Sequence, residues 1–335
     1  MDLVVLGGTA YLGRYVTQAA LARGHRVTCL ARGTSGQPPE GAVLVPVDRD
    51  QDGALSPVSA KHWDSVIDVA RHPGHVRRAV SALAGAAGHY VFVSTGNVYA
   101  DHRRPGLDES APTLPPLDGE VMTDMSEYGA AKVACENHVL AGFGPGRSLI
   151  ARSGLIGGPD DRSGRSGYWP WRFAHPSNPE GRVLVPDTPE LRTQVIDVRD
   201  LAQWLVRCAE RRTAGVYDAV GHTVRMHDHL ALAREVARHT GPLVPVSSAW
   251  LAAHEVAEFM GPRSLPLWLH DPGWLGFTHR RGEAARTAGL HSRPLRETLE
   301  AALASESERP TGTPRGAGLT DDEERDLLAR VPADG

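Results

Sequence analysis

The sequence predicts an α/β protein: a doubly wound parallel sheet with helices on both faces, followed by a smaller C-terminal lobe. Three observations carry this reading. Short apolar runs alternate with amphipathic stretches through the first half of the 335 residues. The runs are continuously apolar, as strands covered on both faces require. A glycine-rich turn joins the first run to the first amphipathic stretch.

The elements follow in order. LVVL (3–6) reads as the first strand and YLGRYVTQAALARG (11–24) as the helix after it, closed by Gly24. RVTCLA (26–31), AVLVPV (42–47) and SVIDVA (65–70) read as the next three strands. HVRRAVSALAGAAG (75–88) is a helix and YVFVST (90–95) a fifth strand. SEYGAAKVACENHVLA (126–141) is a helix and SLIARSGLIG (148–157) a sixth strand. Residues 1–157 thus form a nucleotide-binding domain and 158–303 a mixed substrate lobe. The strand-then-helix pattern of 193–212 is expected to return to the first domain. Residues 304–320 read as a mobile polar linker and 321–331 as a short docking helix.

Composition excludes several classes. Lys and Arg number 36 against 40 Asp and Glu, a formal net charge of −4. The arginines are scattered, so neither nucleic acid nor an anionic membrane is an expected partner. No apolar run approaches the ~18 residues of a membrane span. MDLVVLGG enters a strand directly, with no basic stretch or cleavage site of a signal peptide. Cys29, Cys135 and Cys208 lie far apart in no metal or disulfide spacing, which fits a reducing cytoplasm. No metal is expected.

VVLGGTAYLGRYV (4–16) places Gly7, Thr9, Ala10, Tyr11, Leu12 and Gly13 between a strand and a helix. Gly7 permits a tight turn, and Gly13 lets the helix approach the sheet. The helix N-terminus offers free N–H groups and partial positive charge to a pyrophosphate. This is the setting of a Rossmann-type dinucleotide site. Such sites place a carboxylate after the second strand to hold the 2′-hydroxyl of NAD. Here Ala31-Arg32-Gly33 stands instead, offering a guanidinium to a 2′-phosphate. The expected cofactor is therefore NADP(H) in preference to NAD. Asp48 and Arg49, after the third strand, fall where an adenine ring would lie, and Arg49 is a second candidate for the phosphate.

Lys61 and Lys132 are the only lysines in the chain. Lys132 follows Tyr128 by four residues, on one face of a helix. An ammonium at ~4 Å, at an effective dielectric of ~20, favours phenolate by roughly 4 kcal/mol, about three pKa units. The expectation is a Tyr128 phenol moved toward neutral pH, where acid–base catalysis is effective. Thr95, at the C-terminal end of the fifth strand, can donate a hydrogen bond to a substrate carbonyl.

The glycine loop, Ser94-Thr95-x-x-Val98-Tyr99 and Tyr128-x-x-x-Lys132, in this order, resemble the extended short-chain dehydrogenase/reductase family of NAD-dependent epimerases and dehydratases. The resemblance covers roughly residues 2–303. It implies Thr95 as the catalytic hydroxyl, Tyr128 as the acid–base and Lys132 as a further holder of the nicotinamide ribose. It also implies Ala70 along the cofactor, with Ser153 and Leu155 near the nicotinamide. Two departures stand out. Ala10 replaces the middle glycine of the loop. Gly96-Asn97 replace the acidic pair that dehydratases carry.

Candidate substrate contacts are Arg71, His72, Tyr168 and Trp169, in stretches expected to face the strand ends. The leading functional expectation is an NADPH-dependent reductase of a small-molecule ketone or aldehyde, of aromatic or polyketide type. One alternative is an epimerase, on a sugar nucleotide or other substrate, using transient oxidation by bound NAD(P). Another is a nucleotide-sensing or RNA-associated binding protein. The helices at 75–88 and 126–141 are the surfaces through which a homodimer would pair.

Overall fold

The protein is described from a computed structural model that covers residues 1–51, 53–310, 313 and 315–332. Its first half builds β1 (Asp2–Leu6), α1 (Tyr11–Ala22), β2 (Arg26–Ala31), β3 (Val43–Pro46), a one-turn α2 (Ser56–Ser59), β4 (Ser65–Asp68), α3 (Pro73–Leu83), β5 (Tyr90–Thr95) and α4 (Tyr128–Phe143). The expected sixth strand is two: β6 (Ser148–Ser153) and β7 (Leu155–Gly157), parted at Gly154. Then come α5 (Tyr168–Ala174), β8 (Val183–Pro186), β9 (Arg192–Asp197), α6 (Val198–Arg211) and β10 (Gly215–Ala219). The lobe adds β11 (Thr223–Arg225), α7 (Met226–Val236), β12 (Leu243–Val246), α8 (Ser248–Ala253), α9 (Glu283–Thr287), α10 (Leu295–Ser307) and α11 (Asp321–Arg330).

Seven strands form one sheet in the order β10-β6-β5-β4-β1-β2-β3, every pair parallel. Strand alternation assigns the two faces. Leu3 and Val5 pack with Val16 and Ala20 of α1 and Leu201, Trp204 and Leu205 of α6. Val4 and Leu6 face the other way, with Val76, Val80 and Leu83 of α3 and Val139 and Phe143 of α4. α3 and α4 lie so close that a Cβ at Gly142 would sit 2.1 Å from Val80 Cγ1. The order in which strands are added reverses between β1 and β4. A crevice therefore opens at their C-terminal ends, where such sheets bind ligands.

The 193–212 segment divides its allegiance. Helix α6 covers the large sheet, whereas β9 pairs with β7 and β11 in a separate three-stranded sheet. β10 closes the edge of the large sheet beside β6.

The lobe has its own core, built on Trp169, Phe173, Leu184, Leu230 and Trp268. The stretch read as a mobile linker is largely structured, because its polar residues are matched. Helix α10 runs to Ser307, and Glu306 accepts from both Arg309 (2.7 Å) and Arg315 (3.0 Å). Residues Ala317–Gly318 pair with Gly261–Pro262. Thr320 and Glu323 then form a capping box at the start of α11. Part of the expected linker, Thr311, Gly312 and Pro314, lies outside the described residues. Buried Glu324 meets Arg172 at 3.3 Å, and Leu327 enters the lobe core. Leu327→Ala should lower stability by about 2–5 kcal/mol in urea denaturation. An unchanged midpoint would mean that α11 is not part of the folded unit.

Candidate active site

Residues 96 to 98 form a 3-10 turn at the end of β5, and α4 seats directly on it. A Cβ at Gly129 would lie 2.3 Å from the Asn97 carbonyl oxygen. Only glycine allows that approach, and it carries the adjoining Tyr128 to the strand end. The strand end is braced from below. Ser94 donates to Glu136 (2.5 Å), which also accepts from buried Arg152 (2.8 Å). Thr95 donates to Asn97 Oδ1 (3.1 Å) and accepts from the Asn97 amide (3.3 Å).

Tyr128 and Thr95 are brought together as the sequence pattern requires. The electrostatics differ from expectation. Burial raises the Tyr128 phenol above its ordinary value; a hydrogen bond with Thr95 and then the Arg71 charge pull it down. The cations acting most on it are Arg71 and Arg165, not Lys132. Lys132 is only 2 % exposed and turns its ammonium to backbone. Its Nζ donates to the carbonyls of Ala70 (2.7 Å) and Val93 (2.5 Å), and it stands 4.1 Å from the Phe92 ring centroid. The predicted three-unit drop in the phenol is thus not present, because desolvation outweighs the nearby charge.

The cofactor seat fits a dinucleotide. Gly7 adopts φ +93°, and a Cβ at Gly13 would lie 2.1 Å from the Gly7 carbonyl oxygen. Ala10 supplies no side-chain cap to α1 and the first turn holds no acid, so its amides are left to a bound anion. Thr9 and Leu12 are buried here. The Tyr11 phenol is buried with no hydrogen-bond partner among the described residues. Beside the loop opens a cleft of about 680 Å³, lined by Thr9, Tyr11, Arg14, Ser35, Arg162 and Arg309 among others. Arg309 comes from the supposed linker, which therefore borders the cofactor crevice.

Arg32 is exposed after β2, and no hydrogen bond or ion pair engages it among the described residues. Arg49 is not available in the same way. It donates to Asp68 Oδ1 at 3.0 Å, offsetting a carboxylate that is fully buried and also accepts from Tyr90. Its role is to neutralise that buried charge rather than to await a phosphate. Asp48 is half-buried and accepts from the Asp50 amide (3.1 Å). Ala70 lies at the end of β4 as expected.

Other assignments are corrected. Tyr168 and Trp169 have no solvent exposure; they build the lobe core, where the Trp169 indole donates to Pro266. Apolar bulk, not ligand contact, is what the lobe uses them for. His72 accepts from the Met122 amide (3.2 Å) and lies edge-on to His75, so its ring fastens the 101–125 loop. Arg71 is exposed, and its charge reaches Tyr128. Ser153 donates to the Ser94 carbonyl (3.1 Å), and Leu155 joins the lobe core.

Sequence reasoning names 265–277, with Trp268 and Trp274, as a candidate pocket wall but misses the buried cluster that holds it as the roof of the site. Arg280 donates to Asp218 of β10 (3.0 Å), which also accepts from Tyr99 (2.7 Å). The guanidinium lies 3.4 Å from the Tyr99 ring centroid. This buried cluster pins the 271–280 segment across the strand ends, and Trp274 stacks on His102 at 4.6 Å. Phe277 reaches Gly96: a Cβ there would be 3.7 Å from its ring edge. No periodicity signals such contacts; only the crowding of Trp, Phe and Arg between 265 and 281 points there.

A parallel sheet with a glycine cradle at its reversal point and a Tyr/Thr pair across from it defines a dinucleotide-dependent enzyme class. The NAD dependent epimerase/dehydratase family model matches residues 3–220, and the chain belongs to that family. Among individual proteins, the chain is 30% identical over 195 residues to the 2′-dehydrokanamycin reductase of Streptomyces kanamyceticus. That match spans 56% of this chain and 52% of the relative, about half its length. It is 25% identical over 235 residues to the 3-diazoavenalumate denitrifying reductase of a Streptomyces species, spanning 64% of this chain and 74% of that one. A solved structure of a putative epimerase from Burkholderia cenocepacia J2315 shares the fold. Its TM-score is 0.67 at 20% identity, over 90% of this chain and 98% of the other.

Burial brings the Lys132 ammonium from 10.5 down to about 8. The unfolded chain thus keeps its proton at pH values where the folded chain has released it. A charged Lys132 costs stability below pH 8, and the cost fades as pH rises from about 8 to 10.5. Wild type should gain stability relative to Lys132→Met across that window in paired denaturation curves. A difference that stays flat with pH contradicts this.

Proposed function

We propose that the protein is an NADPH-dependent reductase of a ketone or aldehyde group on a small molecule. The observation that carries this reading is the Tyr128 phenol, half-buried beside the Thr95 hydroxyl and kept in its acid form at neutral pH. A carbonyl oxygen placed between the two would accept a hydrogen bond from Tyr128 and, once the Thr95 hydroxyl turns from Asn97 Oδ1, a second from Thr95. Tyr128 then holds the proton the oxygen needs as it becomes an alcohol. A reduced nicotinamide, when bound, supplies the hydride. The Arg71 charge beside the phenol favours the phenolate left after transfer. Lys132, fixed on the Ala70 and Val93 carbonyls, holds the helix that presents Tyr128.

Unengaged Arg32 supports NADPH as the reduced cofactor, since its fork suits a 2′-phosphate. The reductase names of the two Streptomyces relatives support reduction as the reaction. An epimerase would instead retain its cofactor tightly and show no net use of added NADPH.

Tyr128→Phe should lower kcat for carbonyl reduction by about 10²–10⁴-fold while NADPH affinity holds. Undiminished NADPH oxidation in that variant contradicts the mechanism. Arg32→Ala should cut the preference for NADPH over NADH by about 10–100-fold, as loss of a charge-assisted hydrogen bond implies. An unaltered ratio would place the phosphate elsewhere.

A further inference from the structure

We propose that Arg165 seats a carboxylate of the substrate, at the far end of an aromatic wall that begins beside Thr95. This deepens the reductase reading by naming the substrate class: a ring-bearing carbonyl compound with one anionic group.

The wall is continuous. Phe277 stands against Gly96, the residue after Thr95. Its ring meets Phe259 edge-on at 5.9 Å, and the Arg165 guanidinium lies 5.1 Å from the Phe259 ring centroid. Trp274 and His102 flank Phe277 at 5.6 and 5.4 Å. Faces and edges of this kind receive a planar ring.

Arg165 is incompletely satisfied. Its Nε donates to Ser163 Oγ (3.0 Å), while its two Nη groups have no hydrogen-bond partner among the described residues. The nearest acid in sequence, Asp161, is taken by the hydroxyls of Ser163 (2.6 Å) and Ser166 (2.9 Å). No carboxylate among the described residues pairs with Arg165 within 4.0 Å. Burial lowers the guanidinium below its usual value, which Asp161 only partly offsets. Its charge nonetheless reaches Tyr128. A half-buried fork with both ends free matches the bidentate geometry of a carboxylate.

The test uses the full chain saturated with NADP⁺ and two probes of equal shape, 4-formylbenzoate and its neutral amide, 4-formylbenzamide. Isothermal titration should show the carboxylate binding at least about tenfold more tightly. Arg165→Leu and Arg165→Gln, checked for an unchanged circular dichroism spectrum, should both abolish the preference. Arg165→Lys should restore part of it. Equal affinities in wild type, no measurable binding of either probe, or a preference that survives both variants overturns the proposal. So does a variant that loses NADP⁺ affinity and keeps the preference, since the guanidinium would then serve the cofactor. Turnover with NADPH separates the two readings. Preferred binding without any reduction supports the anion seat and defeats the reductase reading. Reduction of both probes at equal efficiency defeats the anion seat and leaves the reductase reading standing.

Discussion

The buried ammonium of Lys132 is the constraint on which the site depends. It sits in α4 and reaches the Ala70 carbonyl just past β4 and the Val93 carbonyl in β5. One side chain thereby ties a helix to two strands at the lip of the crevice. The tie fixes the rotation of α4, and Gly129 fixes its depth against the Asn97 carbonyl. Between them they hold Tyr128 beside Thr95. A compact ammonium, unlike a planar guanidinium fork, suits a seat between two carbonyls and the Phe92 ring, in a chain that apart from Lys61 otherwise uses arginine.

Desolvation governs the chemistry that follows. The same burial that makes the ammonium a precise fastener weakens it as a charge, and it drives the phenol toward its neutral form. For the proposed carbonyl reduction, a neutral phenol is the state that can give a proton to a nascent alkoxide. Arginines at the rim, Arg71 and Arg165, then act more strongly on the phenol than the lysine does. The lobe supplies the other wall of the crevice. Its placement rests on the buried ion pair of Arg280 with Asp218 of the large sheet, and its own packing on that of Arg172 with Glu324, each embedded in further hydrogen bonds. Such pairs set geometry more than they add stability.

The sheet was legible because its cause is local. Apolar runs such as Val4–Leu6 and Tyr90–Val93 are buried on both faces, and their pattern needs no knowledge of neighbours. The glycine cradle and the Tyr128/Thr95 pair were legible for a related reason: few residue types meet their steric or chemical demands. The split of 148–157 was not, since Gly154 reads equally well as a strand residue. Tyr168 and Trp169 misled because an aromatic cluster looks alike whether it lines a pocket or fills a core. The 304–320 segment misled because its polarity is answered by partners distant in sequence, such as Glu306 for Arg315 and Ser305 for Asp160. The fastening of Lys132 was illegible for the same reason: its partners are backbone oxygens, which carry no sequence signal.

The most direct measurement of the central claim is a crystal structure with NADP⁺ bound. The account predicts the Tyr128 phenol and the Thr95 hydroxyl opening together onto one face of the nicotinamide near C4. A phenol oxygen turned into the protein, or parted from the nicotinamide by more than a layer of water, would contradict it.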